Sequence, residues 1–169
     1  VTPRQRGGNM EFIRKASGWA GKHGIRFMPC MRGTRPASEG DVRYVAPSGA
    51  SPPVCSPNSE ALWKWMTERI VSYARISKDE PALMGVFLDF EMYAEPDTGH
   101  GYALSFDRKI LGEFANSQDI ELPDLAPGAR KAWLEEQGLF EDFARFQEQS
   151  WRRRCRKLRR KVDAHNPEF

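Results

Sequence analysis

The stretch Leu88-Asp89-Phe90-Glu91-Met92-Tyr93 places two acids on either side of an aromatic residue. In an extended chain alternate side chains share a face, so Asp89 and Glu91 point the same way, about 6.6 Å apart, while Phe90 points away. Carboxyl groups held close together and partly out of water raise one another's pKa, and a carboxyl that stays protonated near neutral pH can serve as a general acid. Cleavage of a glycosidic bond needs that combination: one acid protonates the leaving oxygen, and a second group acts as nucleophile, base or stabiliser. Glu91 is the candidate general acid/base, and Asp89 the residue that tunes its protonation or positions the substrate. The competing explanation is structural, with Asp89 capping a backbone N–H and Glu91 pairing with an arginine. A third would make Asp89, Glu91 and His100 metal ligands, but their spacing matches no specific ligand pattern, and neither a metal nor another cofactor is expected.

Such a pair needs elements that hold it. The run MGVFLDF, residues 84–90, is apolar up to its acidic end, which predicts a strand covered on both faces that delivers the acids at its C-terminal end. IRFMPC, residues 25–30, predicts a second buried strand, entered from a helix over residues 9–23 that stops at Gly24. Ser56-Pro57 reads as an N-cap followed by proline at the first helical position, and Leu62, Met66, Ile70 and Ala74 then repeat every four residues through about Ser77. Helical patterns follow over residues 106–116, 127–137 and 139–162, and Pro167-Glu168-Phe169 reads as the approach to another strand. Strands alternating with helices predict βα units, a parallel sheet and one α/β domain over residues 1–169. A complete (β/α)8 barrel needs about 250 residues, so the expected architecture is part of a TIM barrel, completed by further barrel segments or another chain.

Two polar loops then frame the expected rim. Residues 31–57 carry Gly33, Pro36, Gly40, Pro47, Gly49, Pro52 and Pro53 without a period, and they are too many for a mere connector. Consecutive strands usually pair, so Arg32 leaves the first strand beside the two acids, where it could orient a carboxylate or bond a sugar hydroxyl, with Arg35 as a second candidate. For each, a surface ion pair is the plain alternative. In the loop of residues 92–105, Tyr93 and Tyr102 offer faces for a sugar ring, and His100 sits between Gly99 and Gly101 as a further substrate-binding candidate. Trp63 and Trp65 lie on opposite sides of one helix and read as packing residues.

Composition narrows the classes. The 169 residues, 40% hydrophobic and 29% charged, suit one globular domain with a real core rather than a disordered or disulfide-scaffolded chain. There is no run of about 18 apolar residues, and VTPRQRGGNM lacks the apolar core of a signal peptide, so no membrane partner is expected and the compartment stays open. The net charge of +3 is local: RRRCRKLRRK, residues 152–161, holds eight of the 26 basic residues and no acid, leaving 18 against 23 acids elsewhere. A nucleic-acid footprint is one reading of that run. Phe143, Trp151, Cys155, Leu158 and Val162 recur at helical spacing with the basic residues between them, which favours a solvated helix face. Cys30, Cys55 and Cys155 show no CxxC and no metal-ligand spacing; idle thiols are expected, with a Cys30–Cys55 bridge open only in an oxidising compartment.

The strand VFLDFEMY, preceded by GIRFMPCMRGTR and followed by a Tyr-rich loop and SFDRKILGEFANSQ, resembles the middle of a (β/α)8-barrel glycoside hydrolase from the broad group of poorly characterised bacterial barrel hydrolases. RKAWLEEQGLFEDFARFQ and the helix ending HNPEF are similar to the helical stretches between barrel strands in beta-galactosidase-like enzymes. The resemblance covers most of the chain and rests on the texture of strands and helices. It implies a sugar-cleaving barrel with Asp89 and Glu91 as active-site carboxylates and a carbohydrate as substrate. The DxE also resembles the end of the chitinase-type motif, with Glu91 as the acid and Asp89 assisting. Val86 and Phe87 stand where that motif has further acids, which argues against a substrate-assisted mechanism. The alternatives are a noncatalytic carbohydrate-binding module that uses Tyr93, Tyr102 and Arg32, and nucleic-acid association through residues 152–161.

Overall fold

The structure is a computed structural model that describes residues 3–90 and 104–169. It contains helices α1 (Pro3–Lys22), α2 (Glu60–Asp79), α3 (Arg108–Ser117), α4 (Arg130–Glu136) and α5 (Phe140–Asp163), a 3-10 turn at Pro127–Ala129, and strands β1 (Cys30–Arg32) and β2 (Phe87–Asp89). The two strands pair in parallel as a two-stranded sheet. The expectation of part of a TIM barrel is therefore corrected: among the described residues, five helices and a two-stranded sheet of three-residue strands are mixed α/β at best. No helix among the described residues is long and apolar enough to cross a membrane.

The apolar runs are longer than the strands they produce, for local reasons. Pro29 has no N–H to give to a ladder, so pairing before Cys30 shrinks to the single parallel bridge Phe27–Leu83. Phe27 N donates to Ala82 O (2.8 Å), Met84 N to Phe27 O (3.0 Å) and Phe87 N to Pro29 O (3.0 Å). Gly85 adds backbone entropy to the partner run and packs no side chain. Nor is the second run covered on both faces as its hydrophobicity predicts, since Phe87 is 57% and Met84 44% exposed.

Contacts divide the chain into two compact units. The first comprises Val1–Met31, Trp65–Asp89 and Arg156–Phe169; the second comprises Arg32–Lys64 and Phe90–Cys155. Both α2 and α5 contribute residues to each.

In the first unit, Ile13 and Ala20 of α1, Met66, Ile70 and Ala74 of α2, Leu83, and Val162 of α5 are buried. The four-residue repeat predicted for α2 is its buried stripe. Gly24 adopts φ +66 past the end of α1, where Ile25 N reaches back to Ala20 O (2.9 Å), so the predicted glycine stop is a real left-handed cap. The chain end does not approach a strand. Arg159 Nη1 donates to Phe169 O (2.5 Å) and Nη2 to Pro167 O (2.9 Å), and Asn166 Nδ2 donates to Ser77 Oγ (2.7 Å), which folds the tail into a turn with Phe169 buried.

The second unit has an aromatic core of Val45, Phe106, Ile110, Leu111, Phe114, Leu134 and Phe143. Phe143 meets the rings of Phe114 and Phe106 at 5.4 and 5.7 Å between centroids. Burying side chains of this size contributes about 1.5–3 kcal/mol each. The long loop is folded: antiparallel bridges join Pro36 to Val54 and Arg43 to Cys55, and Tyr44 N donates to Val54 O (3.0 Å). Asp107 (φ −64, ψ 149) caps α3, its Oδ1 accepting from Ile110 N at 3.0 Å.

Candidate functional site

The second unit buries a connected set of polar side chains. Asp107 Oδ2 accepts from Ser56 Oγ (2.6 Å) and Asn58 Nδ2 (3.1 Å). The same Asn58 amide nitrogen donates to Gln147 Oε1 (3.2 Å), which also accepts from Ser105 N (3.2 Å). Ser105 Oγ accepts from Val45 N and Asp107 N (3.2 and 3.3 Å). Ser56, Asn58, Ser105, Asp107 and Gln147 are all at least nine-tenths buried, so each bond replaces water that the site excludes. The arrangement also moves the start of α2. Ser56, expected as the N-cap, spends its hydroxyl on Asp107; the helix begins at Glu60, with Leu62 N pointing at Ser59 Oγ (3.5 Å).

Beside this network opens a cavity of about 470 Å³, lined by Pro57, Asn58, Phe90, Leu104, Gln147, Glu148 and Trp151. That volume falls in the range of small-molecule sites. Trp151 is fixed by edge-on contacts with Trp63 (5.1 Å, 78°) and Phe90 (4.9 Å, 70°). Trp63 is itself anchored by its indole N–H on Pro57 O (2.8 Å) and lies under the Arg154 guanidinium at 5.9 Å. Arg154 also bonds Asn58 O (3.2 Å) and pairs with Glu60 (2.8 Å). Phe90 rests on Gly33, where an added Cβ would lie 2.2 Å from its ring. The lining therefore combines two packed aromatic rings with Pro57 and Leu104, and has two side-chain amides and the Glu148 carboxylate as polar groups. Glu148 is exposed and paired with Arg152 (2.7 Å).

Burial also acts on other titratable groups of this unit. It lowers the pKa of the Arg130 guanidinium; nearby Arg108 adds to that effect, and Asp107 and Asp124 oppose it. Arg130 Nη1 answers by donating to Phe106 O at 2.7 Å. Burial raises the Cys55 thiol, with the Asp41 charge adding to the rise and Arg35 opposing it.

Of the residues singled out by sequence, Asp89 is the last residue of β2 and is half-buried. Arg32 ends β1 and is exposed. Arg35 is committed to its own loop, pairing with Asp41 at 2.8 Å, while Asp41 also accepts from Ser38 N at 2.8 Å. Glu91, Tyr93, His100 and Tyr102 lie outside the described residues. No group of three or more His, Cys, Asp or Glu among the described residues could hold a metal ion. None of the three cysteines is in a disulfide; Cys55 is buried, and Cys30 and Cys155 are exposed. Within the basic run, Arg152, Arg154 and Arg159 are engaged by Glu148, Glu60 and Asp163.

Sequence reasoning missed Asn58, Asp107, Gln147 and Glu148, and took Trp151 only as packing. Two signals were present. Asp107 stands immediately before an apolar-periodic segment, the usual N-cap position. Gln147 lies midway between Phe143 and Trp151 at four-residue steps, a polar residue on an apolar stripe. Comparison with known proteins finds no matching family model, no matching curated protein and no matching solved structure.

Proposed function

We propose that the protein binds a carbohydrate in the cavity of its second unit. The observation that carries this reading is the composition of the wall: the aromatic rings of Trp151 and Phe90 together with side-chain amides from Asn58 and Gln147. A sugar ring has the same two characters, a face of C–H groups that packs on an aromatic ring and a rim of hydroxyls that exchange hydrogen bonds. The network through Asp107 supports the reading because it fixes both amides before a ligand arrives, which lowers the ordering cost of binding. Titration calorimetry with hexoses and their short oligomers tests it. Trp151→Ala should weaken binding at least tenfold, whereas Trp65→Ala should leave it unchanged. Equal affinity in the wild type and Trp151→Ala, or no saccharide binding by the wild type, rejects the proposal.

A second reading is hydrolysis of a glycosidic bond, with Glu91 as general acid/base and Asp89 tuning or positioning it. It is favoured by the place of Asp89, half-buried at the carboxyl end of a parallel strand, where ligands of open α/β sheets bind. Glu91→Gln should abolish turnover on a glycoside library while folding and saccharide binding persist. Unchanged turnover in that variant removes Glu91 from the mechanism.

A further inference from the structure

We infer that the cavity selects an acetylated sugar, whose acetyl carbonyl accepts a hydrogen bond from the side-chain amide of Gln147; this rests on the carbohydrate reading and names its substrate class. Gln147 is 6% exposed and lines the cavity. Its Oε1 accepts from two donors, Asn58 Nδ2 and Ser105 N, both at 3.2 Å. Turning the amide over would set its NH2 group against those same donors, so the orientation is determined. Nε2 is then left buried, with no hydrogen-bond partner among the described residues. Native interiors leave few such groups unsatisfied, and one on a cavity wall is a position for a ligand acceptor.

The surroundings decide which acceptor. Of the lining side chains, Pro57, Phe90, Leu104 and Trp151 offer no acceptor, Gln147 Oε1 is already used twice, and the Glu148 carboxylate is exposed and paired with Arg152, which leaves Asn58 Oδ1 as the buried side-chain acceptor on the wall. Beside the spare Gln147 donor, the buried part of the wall thus has a single side-chain acceptor, Asn58 Oδ1, among apolar groups. A hydroxyl that accepted from Nε2 would bring a hydrogen of its own needing a second partner in an apolar setting. An acetyl carbonyl brings lone pairs and no hydrogen, and its methyl group suits the Leu104 and Pro57 walls.

Calorimetry on the full chain with glucose, 6-O-acetylglucose and N-acetylglucosamine tests the inference. At least one of the acetylated sugars should bind about tenfold more tightly than glucose, the worth of one well-made hydrogen bond to a buried donor. A preference for the N-acetyl or the O-acetyl compound identifies which linkage the cavity takes. Gln147→Glu keeps an oxygen for Asn58 and Ser105 but sets a carboxylate oxygen where the NH2 group was, so the preference should vanish. In the unmutated protein, the Gln147 side-chain amide proton resonances should move downfield with an acetylated sugar and stay in place with glucose, a readout that does not depend on how the variant folds. Equal binding of glucose and both acetylated sugars overturns the inference and leaves the carbohydrate reading intact. Absence of binding by all three, with no saccharide bound in the wider panel, overturns both.

Discussion

Replacing Asp107 by alanine should be among the most damaging single changes in the second unit, and the cost can be built from its bonds. The carboxylate caps α3 through Ile110 N and accepts from Ser56 Oγ and Asn58 Nδ2. Losing the cap costs about 1 kcal/mol. A buried donor deprived of its acceptor costs about 1–3 kcal/mol, and Ser56 is left without one. Asn58 retains Gln147 Oε1, so its share lies near the lower end of that range. Arg130 loses one of the two negative charges that offset its burial, keeping Asp124. The sum is about 3–5 kcal/mol, against total stabilities of about 5–15 kcal/mol. Asp107→Ser separates the parts: serine is a good N-cap but too short to reach Ser56 and Asn58, so this variant should recover about 1 kcal/mol of the loss. Urea unfolding followed by circular dichroism, at constant slope, measures both variants. Because Asp107 positions Asn58 and, through it, Gln147, saccharide affinity should fall in Asp107→Ser even where the protein remains folded. An Asp107→Ala variant within 1 kcal/mol of the wild type would refute the view that this network holds the site.

Gly33→Ala should push Phe90 off its seat, since the new Cβ falls 2.2 Å from the ring; lowered saccharide affinity and an altered near-ultraviolet dichroism of Trp151 are expected, with unchanged spectra as the contrary result. Cys30, exposed, should be alkylated by iodoacetamide in the native protein, whereas Cys55, buried and with its thiol pKa raised chiefly by that burial, should react only when urea is added; peptide mass mapping distinguishes them. Burial likewise raises the Tyr44 phenol above its usual value of about 10. Its contribution to stability is complete below the unfolded value and is lost as pH climbs through the folded one, so alkaline absorbance titration at 295 nm should show a late phase that Tyr44→Phe removes.

What the sequence makes legible here is what is local. The stripe Met66, Ile70 and Ala74, the glycine stop at Gly24 and the aspartate before α3 each depend on neighbours within a turn or two, and each is present in the fold. An apolar run such as residues 84–90 announces an extended segment, but periodicity does not say how many strands will pair or what will cover them; Phe87, 57% exposed, is where that inference overreaches. The candidate site is harder still, because its parts come from distant places. Ser56 meets Asp107 across 51 positions and Asn58 meets Gln147 across 89. A serine that reads as a helix cap at its own locus becomes a donor to a distant carboxylate once the chain closes. Only α5 carries a readable trace of the cavity, since Gln147 interrupts an otherwise apolar face between Phe143 and Trp151. A polar side chain in such a position must find partners in the folded protein, and Gln147 finds them for its oxygen but not for its nitrogen. The imbalance places a donor on a cavity wall where an apolar residue would have packed without loss, which is the physical reason to look for a ligand at that wall rather than elsewhere in the second unit.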